Sequence, residues 1–188
     1  MTENTWGPPT LKDKDAKLIN FLAKYKHISP FGHCFASFRI KAPIFVARQL
    51  VKHKFLRWNE TSRRYVDDDP EFYFPEVWRA KAEDVKQGSG GAAQSQYFPT
   101  TYLEQSANES VERYRKMLSQ GICAEQARMV LPQNMMTEWW WSGSLDAFAD
   151  MCRLRLKSDT QFETSIVASC IDAKMKELYP VSWKALLL

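Results

Sequence analysis

Most of the chain carries apolar residues at the spacing of an α-helix, and only two stretches carry them at the spacing of a strand. Helix spacing marks residues 13–26, 43–54, 103–118, 124–130, 145–156 and 161–179, and strand patterns mark residues 34–40 and 135–142. The two element types differ in side-chain period, about 3.6 residues against 2, so the pattern distinguishes them. The sequence therefore predicts a mixed α/β protein with more helix than strand.

The length of 188 residues fits one compact domain spanning residues 1–188, because a single core holds roughly 100–200 residues. Hydrophobic residues make up 45% of the chain, which is enough apolar surface for a core and argues against disorder. One low-complexity stretch, residues 87–93, is rich in glycine and is predicted to be a flexible loop between two halves of that domain.

Composition argues against several classes of protein. The net charge of +4 comes from 26 basic and 22 acidic residues that are interspersed, so it indicates a mild preference for anionic ligands and does not imply nucleic acid. The widely spaced Cys34, Cys123, Cys152 and Cys170 form no C-x-x-C pair, which predicts free thiols and no metal site. Without a signal peptide or an apolar run of about 20 residues, we expect a soluble, cytoplasmic protein with no membrane association.

A basic run at residues 52–65 places six cationic or imidazole side chains within thirteen positions. One interpretation is a helix C-terminus followed by a solvated loop, since cations are favoured there by about 0.3–1 kcal/mol. The other is a phosphate cradle, since Ser62 supplies a hydroxyl beside the forked guanidinium groups of Arg63 and Arg64. Glu60 likewise has two interpretations, an ion pair with a nearby arginine or a contact to a base or ribose. Trp58 suits core packing better than stacking on a ligand.

Two further arginines lie in apolar surroundings of the sequence. Arg155 falls on or beside the apolar face of its helix, where an unpaired charge would cost several kcal/mol. It therefore either pairs with an acid such as Asp150 or Asp159, or lines a pocket for an anionic ligand. Arg128 follows the same logic, with an ion pair to Glu125 as its alternative.

These residues carry a resemblance to a known family. Lys52-His53-Lys54, seven residues and then Ser62, within the string from Asn59 to Tyr65, resembles the signature of the flavin-dependent thymidylate synthases of the ThyX type. That signature is Arg-His-Arg, seven residues and a serine. Segments 27–33, 41–49, 71–73, 127–132 and 154–163 resemble other parts of the family in the same order. The resemblance covers about residues 12 to 183.

The resemblance implies a largely antiparallel sheet flanked by helices, and a homotetramer whose active sites are shared between subunits. It implies an enzyme that methylates dUMP to dTMP, with FAD as cofactor, NADPH to reduce it and methylenetetrahydrofolate as carbon donor. The residues implied for FAD are Ser29, Lys52, His53, Lys54, Glu60, Ser144 and Asp150. Those implied for dUMP are Gln49, Lys52, Glu60, Ser62, Arg63, Arg64, Arg128 and Arg155. Arg155 is the implied catalytic residue, which contacts the uracil and favours ionisation at N3.

The family uses no cysteine nucleophile, and no cysteine of this chain lies in the matched motif, so Ser62 is interpreted as a ligand. Several positions depart from the family pattern. Lys52 and Lys54 stand in place of arginines, Arg63 in place of a small residue, and Asp146 and Asp159 in place of a frequent arginine and histidine. Three alternatives therefore stay open: a flavin-dependent pyrimidine nucleotide hydroxymethylase, a family member kept only as an assembly subunit, and a non-catalytic nucleotide- or RNA-binding module.

Overall fold

A three-stranded antiparallel sheet forms the centre of the fold and helices flank it. The computed structural model describes residues 11–65, 68–83 and 88–188. The helices are α1 (Asp13–Lys24), α2 (Ile44–Leu50), α3 (Tyr97–Ser119), α4 (Ala124–Ala127), α5 (Leu145–Arg155), α6 (Phe162–Leu178) and α7 (Pro180–Leu187), and the strands are β1 (Phe35–Pro43), β2 (Arg57–Glu60) and β3 (Met136–Ser144). Two 3-10 turns cover Ser29–His33 and Arg128–Val130. Among the described helices, none combines the length and apolar character needed to cross a bilayer.

The strands lie in the order β1-β3-β2, and both pairings are antiparallel. In the β1–β3 ladder Phe35 lies opposite Ser144 and Pro43 lies opposite Met136. The prediction of a mixed α/β fold with a largely antiparallel sheet, flanking helices and more helix than strand is confirmed.

Alternation along β3 buries one face of the sheet. Trp139 and Trp141 are buried, whereas Trp140 between them faces outward and is exposed. Trp58 of β2 stacks on Trp139 with ring centroids 4.3 Å apart, so its predicted role in core packing is confirmed. Phe148 of α5 meets the edge of Trp141 at 5.6 Å. Offset and edge-to-face aromatic contacts of this kind add about 0.5–1.5 kcal/mol beyond area burial.

The structure differs from the sequence prediction at one helix end and in two additional elements. Helix α2 ends at Leu50 and not at residue 54. The run that follows contains strand β2, where we predicted only a loop, because four residues with one inward side chain give a weak alternation signal. Helix α6 ends at Leu178, within one residue of its predicted end, but we did not predict the further helix α7. Pro180 is the first residue of α7, a position that proline favours because its missing N–H needs no partner there.

Two surface predictions also need correction. The apolar face predicted for α1 is largely exposed, with Leu18, Phe21 and Tyr25 each more than half accessible. The buried side of that helix is formed by Ala23, with Ile19 beside it. The predicted flexible loop at 87–93 has Gln87 outside the described residues. Its described part is held by backbone hydrogen bonds, including Ala93 N to Trp78 O at 2.7 Å and Ala80 N to Gly91 O at 2.8 Å.

Helix α7 should contribute strongly to stability through Trp183. This side chain is fully buried, and its indole N–H donates to Asp172 Oδ1 at 2.8 Å. We expect Trp183→Ala to lower the free energy of unfolding in urea by about 3–5 kcal/mol. Trp183→Phe keeps most of the volume and should lose only about 1–2 kcal/mol with the hydrogen bond. The assignment would be contradicted if Trp183→Phe did not fold. It would also be contradicted if Trp183→Ala were as stable as the wild-type protein.

Candidate active site

A cavity of about 820 Å³ opens between α2, the end of β2, the turn at Arg128–Val130 and the start of β3. Its lining residues are Ile44, Arg48, Glu60, Thr61, Ser62, Arg63, Arg128, Met129, Leu131, Met135 and Thr137. Ligand pockets in proteins typically have volumes of about 300–1,000 Å³. The cavity therefore has room for a nucleotide-sized ligand, and its wall includes four of the residues implied for dUMP.

Three guanidinium groups line this cavity. Arg48 lies on the exposed side of α2 and makes no ion pair with a described residue. Arg128 makes a single hydrogen bond within the described part of the chain, from Nε to the main-chain oxygen of Glu125 at 3.2 Å. The alternative of an ion pair between Arg128 and the Glu125 carboxylate is not realised.

Arg63, Arg64 and Ser62 form a compact turn after β2. Arg63 pairs with Asp68, with Nη1 3.0 Å from Oδ1, and lies over the Tyr114 ring at 5.7 Å. Arg64 donates from its main-chain N and from Nε to Ser62 Oγ, both at 3.3 Å. Arg64 has no acidic partner among the described residues, so its charge remains available to an anion.

Glu60 makes neither of the ion pairs that the sequence left open for it. Its Oε1 accepts a hydrogen bond from Thr137 Oγ1 at 2.6 Å, and its Oε2 accepts one from Trp58 Nε1 at 3.2 Å. Both donors are neutral, so no described cation pairs with this carboxylate at the cavity wall.

Arg155 lies at the end of α5 and is not among the residues that line the cavity. Its Nε donates to His53 Nε2 at 3.1 Å, and its Nη2 donates to the main-chain oxygen of Gln49 at 3.0 Å. Neither Asp150 nor Asp159 pairs with it, and Asp150 instead pairs with Arg153. Arg155 therefore carries a half-buried charge whose described partners are both neutral.

His53 is the neutral acceptor in that contact. Burial lowers the pKa of His53 below its ordinary value, the positive charge of Arg155 lowers it further, and Asp150 opposes both. Because Nε2 accepts a hydrogen bond from Arg155, the ring proton of neutral His53 resides on Nδ1.

The remaining residues implied for FAD lie on other segments. Lys52 and Lys54 are exposed in the turn after α2. Ser29 begins the first 3-10 turn, which packs against α5 and β3, and Ser144 ends β3 immediately before α5. Asp150 lies on α5. Within one chain, therefore, Glu60, Ser62, Arg63 and Arg128 share the cavity wall, whereas Arg155, His53 and Gln49 form a separate cluster.

Sequence reasoning missed two features of this region. Arg48 lines the cavity, and its signal was its position within the segment 41–49 that we interpreted only as family context. The other is a buried ion pair, in which Arg79 Nη2 donates to both oxygens of Glu163 at 2.7 and 2.8 Å. These residues are separated by 84 positions, so no local pattern could have joined them.

Three guanidinium groups and a serine hydroxyl give this cavity a wall suited to an anionic ligand, and comparison with known proteins identifies the family of the chain. The family model for the thymidylate synthase complementing protein (Thy1) matches residues 2–181. The flavin-dependent thymidylate synthase of Thermus thermophilus is 38% identical over 179 residues, and that of Kosmotoga olearia is 34% identical over 180 residues. This chain belongs to the Thy1 family of flavin-dependent thymidylate synthases.

Each match covers 95% of this chain, which spans 66% of the length of the Thermus relative and 78% of the Kosmotoga relative. Among solved structures, the UMP/dUMP methylase PolB from Streptomyces cacaoi, bound with 5-Br dUMP, superposes with a TM-score of 0.85 at 27% identity. That match covers 95% of this chain and 81% of PolB.

The Arg79–Glu163 pair should make stability depend on pH. Burial alone would raise the pKa of Glu163, but hydrogen bonds from Arg79 and from Gln161 outweigh burial and leave it below its ordinary value. A carboxylate with a lowered folded pKa stabilises the fold above its unfolded pKa of about 4.3, and loses that contribution as the pH falls through the folded value.

We expect Glu163→Gln to lower the free energy of unfolding at pH 7 and to flatten its decline between pH 7 and pH 3, measured in urea. Glu177→Gln is the matched control, because Glu177 forms an exposed pair with Lys174 and should change stability by less than about 1 kcal/mol. An unchanged pH dependence in Glu163→Gln would contradict the assignment.

Proposed function

We propose that this chain is a flavin-dependent thymidylate synthase, which converts dUMP to dTMP with methylenetetrahydrofolate as carbon donor and NADPH-reduced FAD as hydride source. The observation that carries the proposal is the 820 Å³ cavity, whose wall combines Arg48, Arg63 and Arg128 with Ser62. Family membership and the likeness to a UMP/dUMP methylase support the same substrate class.

The phosphate of dUMP fits the donors at this cavity. Guanidinium groups bind phosphate oxygens through paired N–H donors, and such charge-assisted hydrogen bonds are about twice as strong as neutral ones. Arg128 lines the cavity, and Arg64 bonds to Ser62 at its wall; neither arginine has an acidic partner among the described residues. Ser62 and Arg63 complete the phosphate site in this proposal. Glu60 is proposed to accept hydrogen bonds from the sugar or base.

Arg155 is proposed to contact the uracil. A guanidinium has five N–H donors, and the contacts to His53 and Gln49 use two of them. Ionisation at N3 places negative charge on the pyrimidine and increases electron density at C5. The remaining donors of Arg155 are able to stabilise that negative charge. A cation that is partly buried stabilises such charge more strongly than one in bulk water.

The residues implied for FAD fit its chemistry. FAD carries an anionic pyrophosphate, and Lys52 and Lys54 are exposed cations without acidic partners in the described part of the chain. Ser29 and Ser144 add hydroxyl groups. The neutral imidazole of His53 supplies a hydrogen-bonding group near the cationic turn, and so do the carboxyl groups of Glu60 and Asp150. When bound and reduced, FAD supplies the hydride of the proposed reaction.

A thiol nucleophile is not part of the proposal. None of the four cysteines lines the cavity. Burial raises the pKa of Cys152 to about 12, so this thiol is protonated at neutral pH. Since the thiolate is the nucleophilic form, Cys152 is unsuited to attack a pyrimidine.

We also propose that active sites are shared between subunits of a homotetramer. Arg155 lies outside the lining of the cavity that holds Arg128 and Ser62 in the same chain. A nucleotide gripped by both sets of residues would therefore lie between two copies of the chain. The isologous interfaces of symmetric oligomers bring different parts of one surface together in this way.

UMP is the second candidate substrate, because the solved relative PolB is a methylase of both UMP and dUMP.

The purified protein should bind FAD with a visible absorbance band near molar equivalence. With NADPH and methylenetetrahydrofolate, mass spectrometry of the nucleotide should show a gain of one methyl group on dUMP. Methylation of UMP, or a hydroxymethyl product, would identify one of the alternatives. Colourless protein that binds RNA with a steep salt dependence would refute the proposal.

Mixing two inactive variants tests the shared site. Arg128→Ala and Arg155→Ala should each lose most of their turnover, because each lacks one part of the nucleotide site. Subunits of the two variants, unfolded together in equal amounts and refolded, should recover about a quarter of wild-type turnover, since random pairing restores both arginines at about one site in four. Each variant refolded alone is the control. A mixture as inactive as its components would show that both arginines must come from one chain.

A further inference from the structure

The side chain of Gln49 is fully engaged within the protein. Its Nε2 donates to Gln161 Oε1, and its Oε1 accepts a hydrogen bond from Thr164 Oγ1 at 3.2 Å. Thr164 is completely buried, whereas Gln49 and Gln161 are half-buried. Gln49 is not among the residues that line the cavity. Its amide therefore has a structural task within the protein.

The clamp continues into the ion pair of Glu163. Gln161 Nε2 donates to Glu163 Oε2 at 3.1 Å, and Arg79 holds both oxygens of that carboxylate. Tyr73 adds a weaker hydrogen bond from its hydroxyl to Glu163 Oε1 at 3.4 Å. An uninterrupted series of hydrogen bonds thus runs from Arg79 to Gln49. Satisfied networks of this kind rigidify the groups that they connect.

The main chain of Gln49 is where this network meets Arg155. Helix α2 ends at Leu50, and the N–H of His53 bonds to Leu50 O at 3.1 Å, not to Gln49 O as a continuing helix would require. The oxygen of Gln49 is therefore one of the unpaired carbonyls at a helix C-terminus. Such carbonyls carry partial negative charge and favour a cation. Arg155 Nη2 occupies that position at 3.0 Å.

We propose that Thr164 and Gln161 are positioning residues for Arg155. By clamping the amide of Gln49 they fix the last turn of α2, and the fixed carbonyl of Gln49 together with His53 Nε2 holds the guanidinium in one orientation. Neither residue touches a ligand in this proposal. The role of Arg155 in turnover rests on the proposed function, whereas its orientation does not.

Two substitutions at Thr164 separate the hydrogen bond from packing. Thr164→Val keeps the volume and removes the hydroxyl, and Thr164→Ser keeps the hydroxyl and removes a methyl group. We expect Thr164→Val to lower kcat roughly 10-fold or more with little change in KM, because a misplaced catalytic group costs up to about 100-fold in rate. Thr164→Ser should retain most of wild-type kcat. Ser165→Ala is the control, since the half-buried hydroxyl of Ser165 donates to Phe162 O and takes no part in the clamp.

The imidazole of His53 reports the orientation of Arg155 without any turnover. Its charged neighbours are Arg155 and Asp150, both on α5, and the exposed Lys52 and Lys54 adjoin it in the chain. When Arg155 loses its fixed position, the pKa of His53 should rise toward its ordinary value. We therefore expect an NMR titration to show this rise in Thr164→Val and not in Thr164→Ser or Ser165→Ala.

Two results would overturn the proposal. Folded Thr164→Val with an unchanged His53 titration and unchanged kcat overturns the proposal. So does the reverse order, with Thr164→Ser impaired and Thr164→Val normal, because packing would then be the role of Thr164. A wild-type protein without synthase activity refutes the proposed function, but the His53 titration still decides whether the clamp orients Arg155. Urea unfolding of each variant establishes that it is folded under the assay conditions.

Discussion

The half-buried guanidinium of Arg155 constrains the structure around it. No carboxylate pairs with Arg155 in the described chain, so the charge depends on the neutral acceptors Gln49 O and His53 Nε2. Leaving a buried charge without such partners costs several kcal/mol. The two acceptors exist only because α2 ends at Leu50, which frees the carbonyl of Gln49 and turns His53 back toward α5. The early end of the helix thus supplies one acceptor for the cation, and burial together with Arg155 lowers the pKa of the histidine that supplies the other.

The distribution of ion pairs separates structural cations from those free to meet a ligand. Arginines with acidic partners, such as Arg39 with Glu138 and Arg115 with Asp69, stabilise the surface and hold chain segments together. Arg48, Arg64 and Arg128 lack such partners among the described residues although acidic side chains are almost as numerous as basic ones. A modest net charge of +4 therefore conceals a local excess of positive charge, and such local fields attract anionic ligands.

Sequence patterns predicted the element types well because side-chain period is a local property. The strand that carries Trp139 and Trp141 and the long helix around Tyr114 are both found where the spacing places them. Orientation was harder to predict, as the exposed Phe21 of α1 shows, because the buried side of a helix depends on what packs against it. The family resemblance assigned Ser62, Arg128 and Arg155 to one ligand, and the structure places Ser62 and Arg128 in one cavity wall that does not include Arg155.

Arg63 shows how the chain accommodates a departure from the family pattern, which usually has a small residue at this position. Its side chain is only 14% exposed, lies over the ring of Tyr114 and pairs with Asp68. The bulk of the arginine is thus packed against α3, and only part of the residue reaches the cavity wall. This packing leaves its Nε buried without a hydrogen-bond partner among the described residues, a cost that the ion pair and the aromatic contact offset. The chain therefore accommodates a large residue at this position, because most of its side chain packs against α3 while its remaining part lies at the cavity wall.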